Sequence, residues 1–331
     1  MIGGRAWKFV LGLAVSAAAL AATLRNVDLT ELVRAVTSAH AGWLLLALGA
    51  LVGMFALRAA RWAMLLGGTP FSTTFYALGI GYLMNATLPL RVGEVGRAYV
   101  VSDRTGVGMA RALSSVVVER CIDLASVVLL FAGFACRVPM PPAFSRVASF
   151  AAVAVVVAVA AGALFVAKAD AVEVFVRGRL ARHGTFERGW SRFRELCDGL
   201  RAVGSGRRLG ALLALTAAIW GATILAAYLA MAAFLPPDGD AAGLMVVAAN
   251  LGGALPSAPG GLGVVQGFAK MALVVPFHEP EERALAFVFV WSLGALAVSI
   301  TLGLVGLGRL GVSLGEARRR TKSIPASRSE G

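Results

Sequence analysis

The chain has 331 residues, of which 58% are hydrophobic and only 15% charged, with a formal net charge of +13 and a mean hydropathy of +0.79. So little charge cannot coat a water-soluble protein of this size, which excludes a soluble enzyme. The positive balance does not indicate nucleic acid, because the basic residues sit at the ends of apolar blocks and in one central loop, without a continuous basic face or interleaved aromatics.

Taken in chain order, the apolar residues fall in blocks of about 20, the length that crosses a hydrocarbon core of about 30 Å. Full spans are expected near 7–24, 41–66, 113–136, 147–168, 209–235 and 284–309. The first follows Arg5 and Lys8 and is Ala-rich, so it reads either as a cleaved signal or as an uncleaved helix. The strong spans after it favour the uncleaved helix. Two more apolar segments, 71–96 and 243–276, are interrupted near their middles, by Leu88-Pro89 and by Leu255-Pro256-Ser257-Ala258-Pro259-Gly260-Gly261. Each half, at about 12–16 residues, is too short to cross alone and reads as part of a re-entrant hairpin or broken helix. The fold class is therefore all-α, a polytopic membrane bundle of about six full spans and two interrupted segments. Eight or so ordinary spans, short at the breaks, is the alternative.

Lys and Arg set the orientation. The N-terminus, the 168–208 loop with ten Lys/Arg against five Asp/Glu, and the tail with Arg318, Arg319, Arg320 and Lys322 should face the cytoplasm of a plasma (inner) membrane protein. The 236–240 and 277–283 connections, the latter with Glu279, Glu281 and Glu282, should face outward. The first interrupted segment then enters from the cytoplasm and the second from outside, a pattern found in transporters built on inverted repeats. Residues 1–312 form one membrane domain. Its 170–207 loop is a basic amphipathic helix, with Phe186, Trp190, Phe193, Cys197 and Leu200 at three- and four-residue spacing. It lies either on an anionic leaflet or against the bundle. Residues 313–331 read as a disordered basic tail.

Charge inside an apolar segment is costly unless paired or hydrated, so such residues carry the functional reading. The first group runs from Asn85 through Pro89, Arg91, Gly93 and Glu94 to Arg97. On a helix Arg91 and Glu94 share a face and can pair; the competing reading is a cytoplasmic loop at the end of a span, with solvated charges. The second is Glu119, Arg120 and Asp123, within the apolar run 112–136. Glu119 and Asp123, four apart, face the same way and need a cation, for which Arg91, Arg97 and Arg120 are the candidates. A buried ion-pair network joining the two groups explains both. The alternative is a helix that begins near residue 120 and leaves the carboxylates at the interface. The third is Pro259, Gly260, Gly261, Gly263 and Gln266, a Gly-rich turn whose amides open a half-helix and suit an anion. Here a plain helix breaker is the competing reading.

Cys121, Cys136 and Cys197 show no metal spacing, and Cys121 and Cys136 are expected to be buried thiols. His40, His183 and His278 are isolated from one another. No nucleotide-binding loop is evident. No metal or cofactor is expected.

Together the three groups resemble the lysylphosphatidylglycerol synthase transmembrane-region family, the membrane domain that acts as a flippase in multiple peptide resistance proteins. The pattern Asn-x-x-x-Pro-x-Arg-x-Gly-Glu-x-x-Arg is met by Asn85, Pro89, Arg91, Gly93, Glu94 and Arg97. Glu-Arg-x-x-Asp follows as Glu119, Arg120 and Asp123, and Pro-Gly-Gly-x-Gly as Pro259, Gly260, Gly261 and Gly263. The family pattern usually has Glu shortly after the last glycine, where this chain has Gln266. The resemblance implies movement of a polar or anionic lipid between leaflets, or a role in making a membrane lipid or glycolipid. On this reading Arg91, Arg97 and Arg120 are expected to hold a phosphate or other anionic headgroup, balanced by Glu94, Glu119 and Asp123. The synthases carry a soluble aminoacyl-transfer domain that this sequence lacks, so aminoacylation is not expected. The partners implied are membrane phospholipids or another polar lipid, with a lipid-synthesis enzyme as an alternative. An intramembrane transferase using the acidic pair is the rival class.

Overall fold

The computed structural model describes residues 23, 28–87, 92–139, 153, 156, 157, 206–254 and 263–312. The expected spans 7–24 and 147–168, the 170–207 loop and the 313–331 tail lie outside the described residues, apart from isolated positions in the two spans. The elements seen among the described residues are helices: α1 (Leu29–Thr37), α2 (Ala41–Leu65), α3 (Phe71–Thr87), α4 (Gly93–Thr105), α5 (Met109–Arg137), α6 (Gly206–Met231), α7 (Gly239–Ala254), α8 (Val264–Phe277) and α9 (Glu281–Leu310).

Helix α1 starts where Asp28 Oδ1 accepts from the Thr30 and Glu31 amides at 2.7 and 3.3 Å. Those amides, Thr30 first, hold the Asp28 carboxyl below the usual carboxylate range. Helices α2, α6 and α9, with 25, 26 and 30 residues, are long and apolar enough to cross a membrane. Helix α5 has 29 residues but carries Arg111, Glu119, Arg120, Asp123 and Arg137. It begins at Met109, so Glu119 and Asp123 stand well inside a helix and not at its start.

Both interrupted segments are helical hairpins. Helix α3 has 17 residues and α4 13, and α7 has 16 and α8 14. At 1.5 Å per residue each falls short of a core about 30 Å thick. In the first hairpin Asn85 Oδ1 accepts from the Gly93 amide at 2.9 Å, while Gly81 lies against Gly93 and Arg97. The pairing thus runs in opposite directions along the two helices. In the second, Gly252 near the end of α7 lies against Val264 and Phe268 at the start of α8.

The helix ends sort onto two faces. On one, Arg104 of α4 donates to the Leu310 carbonyl of α9, and Arg111 of α5 covers Gly67, just past α2. On the other, Arg137 at the end of α5 pairs with Asp240 at the start of α7 at 3.0 Å. The hairpins therefore enter from opposite faces. Each sits in its own apolar cluster: Trp62, Ile80, Met84 and Val100 surround the first, and Phe134, Met231, Met245, Leu273 and Phe287 the second. Helices α3 and α9 approach at glycines, and a methyl on Gly79 would lie 2.8 Å from the Leu302 carbonyl oxygen. Backbone approach of this kind is how helices associate where the solvent itself is apolar.

The outside of the bundle is apolar too, with Leu45, Leu213 and Leu293 each at least 60% exposed. Cys121 and Cys136 belong to this outer surface and are exposed, contrary to the burial expected from their apolar neighbours. In a membrane an apolar neighbourhood marks the lipid side as readily as the interior, so it does not indicate which way a side chain faces.

Candidate functional site

The first hairpin brings the start of α4 against the middle of α5, and α2 closes the third side. Glu119 and Asp123 are about 15 and 21 Å along α5 from Met109, at 1.5 Å per residue. Seven charged side chains meet there. Asp123 takes two arginines of α2 at once: Arg58 Nη1 donates to Oδ2 at 2.8 Å and Arg61 Nη2 to Oδ1 at 2.7 Å. Arg97 Nη1 donates to Glu119 Oε2 at 3.0 Å, and its Nε donates to Glu94 Oε2 at 2.9 Å. Arg120 Nη2 donates to Glu119 Oε1 at 3.1 Å, and lies 3.4 Å from Glu94 Oε1. Its Nη1 is 3.8 Å from Asp123 Oδ2.

Packing locks the arginines in place. The Arg97 guanidinium lies 4.7 Å from the centre of the Trp62 ring, and the Trp62 indole donates to Ser115 Oγ at 2.9 Å. A desolvated guanidinium over an indole face gains attraction from the ring quadrupole. Arg58 Nε donates to Met54 Sδ at 3.1 Å, and Arg61 Nη1 reaches Thr216 Oγ1 on α6 at 3.4 Å. Arg61 and Glu119 side chains are fully buried, and Arg97 nearly so. Ions so deep in a protein persist only when paired with good geometry, which these contacts supply. Among the described residues, no group of three or more His, Cys, Asp or Glu side chains has a metal-holding arrangement.

An open groove of about 590 Å³ runs between α5 and α6. Leu129, Leu130 and Phe134 form one wall, and Leu213, Trp220 and Ile224 the other. Thr216 lines it as well, and through its bond to Arg61 joins the apolar groove to the charged cluster.

Of the residues singled out from the sequence, the structure gathers Glu94, Arg97, Glu119, Arg120 and Asp123 into the cluster. Asn85 and Gly93 instead bond to each other and close the first hairpin. Pro89, Arg91, Pro259, Gly260 and Gly261 lie outside the described residues. Gly263 and Gln266 are at the tip of the second hairpin, where Gln266 Oε1 accepts from the Gly263 amide at 2.7 Å. Arg58 and Arg61 were missed by the sequence reading. Their signal was present, as two arginines three apart inside the apolar run 41–66, and charge in such a run needs a partner by the same cost argument applied elsewhere.

The model of the lysylphosphatidylglycerol synthase TM region matches residues 9–303. The chain belongs to that family. It is thus a membrane protein of a family tied to lipid biology. No curated protein and no solved structure matches the chain.

The departure from the family pattern at Gln266 has a structural reading. Gly263 has φ +83°, a left-handed conformation that favours glycine. Its amide at the head of α8 is satisfied by Gln266, the side-chain half of a capping box. A Glu in that place would offer the same acceptor, and would stand four residues before Lys270, the favoured order for a helical ion pair. In this chain Lys270 Nζ bonds Glu281 at 2.8 Å. Gln266→Leu, which orphans the buried amide, should cost about 1–3 kcal/mol, read as a lower melting temperature in detergent. Gln266→Glu should melt much closer to wild type. Equal melting of Gln266→Leu and wild type would remove the capping role.

Proposed function

We propose that this protein moves a lipid with a polar or anionic headgroup between the leaflets of the membrane, with the arginine–carboxylate cluster as the headgroup site. One observation carries the reading: four arginines and three carboxylates meet inside a bundle whose outside is apolar, against the middle of α5 and about two turns from the end of α2, next to an apolar groove. Arginine suits a phosphate because its planar fork binds two oxygens at once and keeps its charge. The groove offers walls for acyl chains, as a soluble anion would not need. Family membership supports a lipid substrate. The face that carries Arg104, Arg111, Arg207 and Arg208 is assigned to the cytoplasm, and the face with Asp238, Asp240, Glu279 and Glu281 to the outside.

The test is leaflet-resolved lipid analysis of deletion and complemented strains, comparing total lipid with what a non-permeant label reaches from outside. Unchanged totals with one lipid depleted from the outer leaflet, restored on complementation, is the expected result and names the substrate. A lipid missing altogether would replace transport with a biosynthetic role.

A further inference from the structure

The charges in the cluster do not balance, and their geometry shows which one stands outside the balance. Three arginines make a closed set with the three carboxylates. Arg58 and Arg61 divide the two oxygens of Asp123 between them, at 2.8 and 2.7 Å. Arg97 holds Glu119 at 3.0 Å and Glu94 at 2.6 Å. These six groups are neutral as a set, and every carboxylate in it has a short contact without the fourth arginine. Arg120 reaches the same carboxylates from the exposed side, at the oxygens Arg97 leaves: 3.1 Å to Glu119 Oε1 and 3.4 Å to Glu94 Oε1, with Asp123 Oδ2 further off at 3.8 Å. Its side chain is 38% exposed, whereas those of Arg58, Arg61 and Arg97 are 8%, 0% and 2% exposed. Among the described residues, the cluster therefore has one positive charge more than it needs, on its most accessible member.

We infer that Arg120 is the exchangeable cation of the cluster: it gives up its carboxylate contacts to take a singly charged anion of the phosphodiester class, while Arg58, Arg61 and Arg97 stay in place as scaffold. This rests on the reading of the cluster as a headgroup site and adds the residue that does the binding and the charge it takes. A dianion would leave the set negative, and a neutral headgroup would leave the extra charge uncompensated in a medium of low dielectric.

The test uses the full chain in dodecyl maltoside micelles and three probes: dihexanoyl-phosphatidylglycerol, dihexanoylglycerol and sodium phosphate. Wild type should bind the phosphatidylglycerol saturably and the uncharged dihexanoylglycerol far more weakly. Arg120→Gln should weaken the phosphatidylglycerol by about 10- to 100-fold, the loss of a charge-assisted hydrogen-bond pair. Its melting temperature should stay within about 3 °C of wild type, and Arg120→Lys should recover part of the affinity. Arg61→Gln, by contrast, should lose the fold. If Arg120→Gln unfolds as Arg61→Gln does, or binds phosphatidylglycerol as wild type does, the assignment of Arg120 is overturned. If phosphate alone competes as well as the lipid, with the same dependence on Arg120, the exchangeable cation stands and the lipid reading falls.

Discussion

Asp123→Ala should yield almost no folded protein. One carboxylate answers two arginines three residues apart on α2, and its removal leaves Arg58 and Arg61 facing each other with Glu119 the nearest anion, 3.9 Å from Arg61. Removing one partner of a buried pair costs about 3–5 kcal/mol, and here two cations are orphaned by one change. Total stabilities are about 5–15 kcal/mol, so the loss is of the order of the whole. The measurement is the monodisperse fraction after detergent extraction, with thermal unfolding of whatever is recovered. A control separates charge from shape: Arg58→Met, Arg61→Met and Asp123→Leu together remove the three ions and restore apolar packing. Such replacements are often neutral or stabilising, so the triple variant should fold better than Asp123→Ala. Should Asp123→Ala extract and melt like wild type, the cluster would not be holding the bundle together.

Gly93→Ala is the second large effect, and it acts through shape alone. Gly93 opens α4, and a methyl there would drive into the Gly81 carbonyl oxygen and lie 2.6 Å from Asn85 Oδ1. Both neighbours are held in place, one as backbone and the other by its bond to the Gly93 amide. Overpacking in a core costs about 1–3 kcal/mol where side chains can shift, and backbone cannot shift without parting α3 from α4. The cost should therefore reach or pass the top of that range, and should also pull Glu94 and Arg97 away from Glu119. Gly133→Ala is the matched control: it lies within α5 with nothing within 4 Å of the added methyl. It should be neutral or gain about 0.5–1 kcal/mol from helix propensity. Comparable melting of the two variants would show that the hairpin tolerates separation at Gly81 and Gly93.

Much of this architecture is written locally. Runs such as 41–66 and 284–309 predict membrane helices because a hydrocarbon layer demands about 20 apolar residues and internal backbone bonding. Pro89 and the Pro–Gly run at 255–261 break two further runs because neither half can then span. Among the described residues, helices run up to Thr87 and Ala254 on one side of these breaks and begin at Gly93 and Val264 on the other. The shared face of Glu119 and Asp123 also follows from helical spacing, as does their need for cations. Which cations they find does not. Arg61 lies 62 residues from Asp123 in sequence and Arg97 lies 22 from Glu119, and only the crossing of α2, α4 and α5 brings them into contact. The orientation of Cys121 and Cys136 was equally closed to the sequence, because a membrane protein is apolar inside and out and its pattern does not say which side is which. The closed set of six charges and the seventh outside it, likewise, is decided by distances between helices. Local composition determined that the chain is a helical membrane protein with costly charges in named places; only the tertiary structure decided which of those charges meet and which of them stays exposed, because both depend on how distant helices cross.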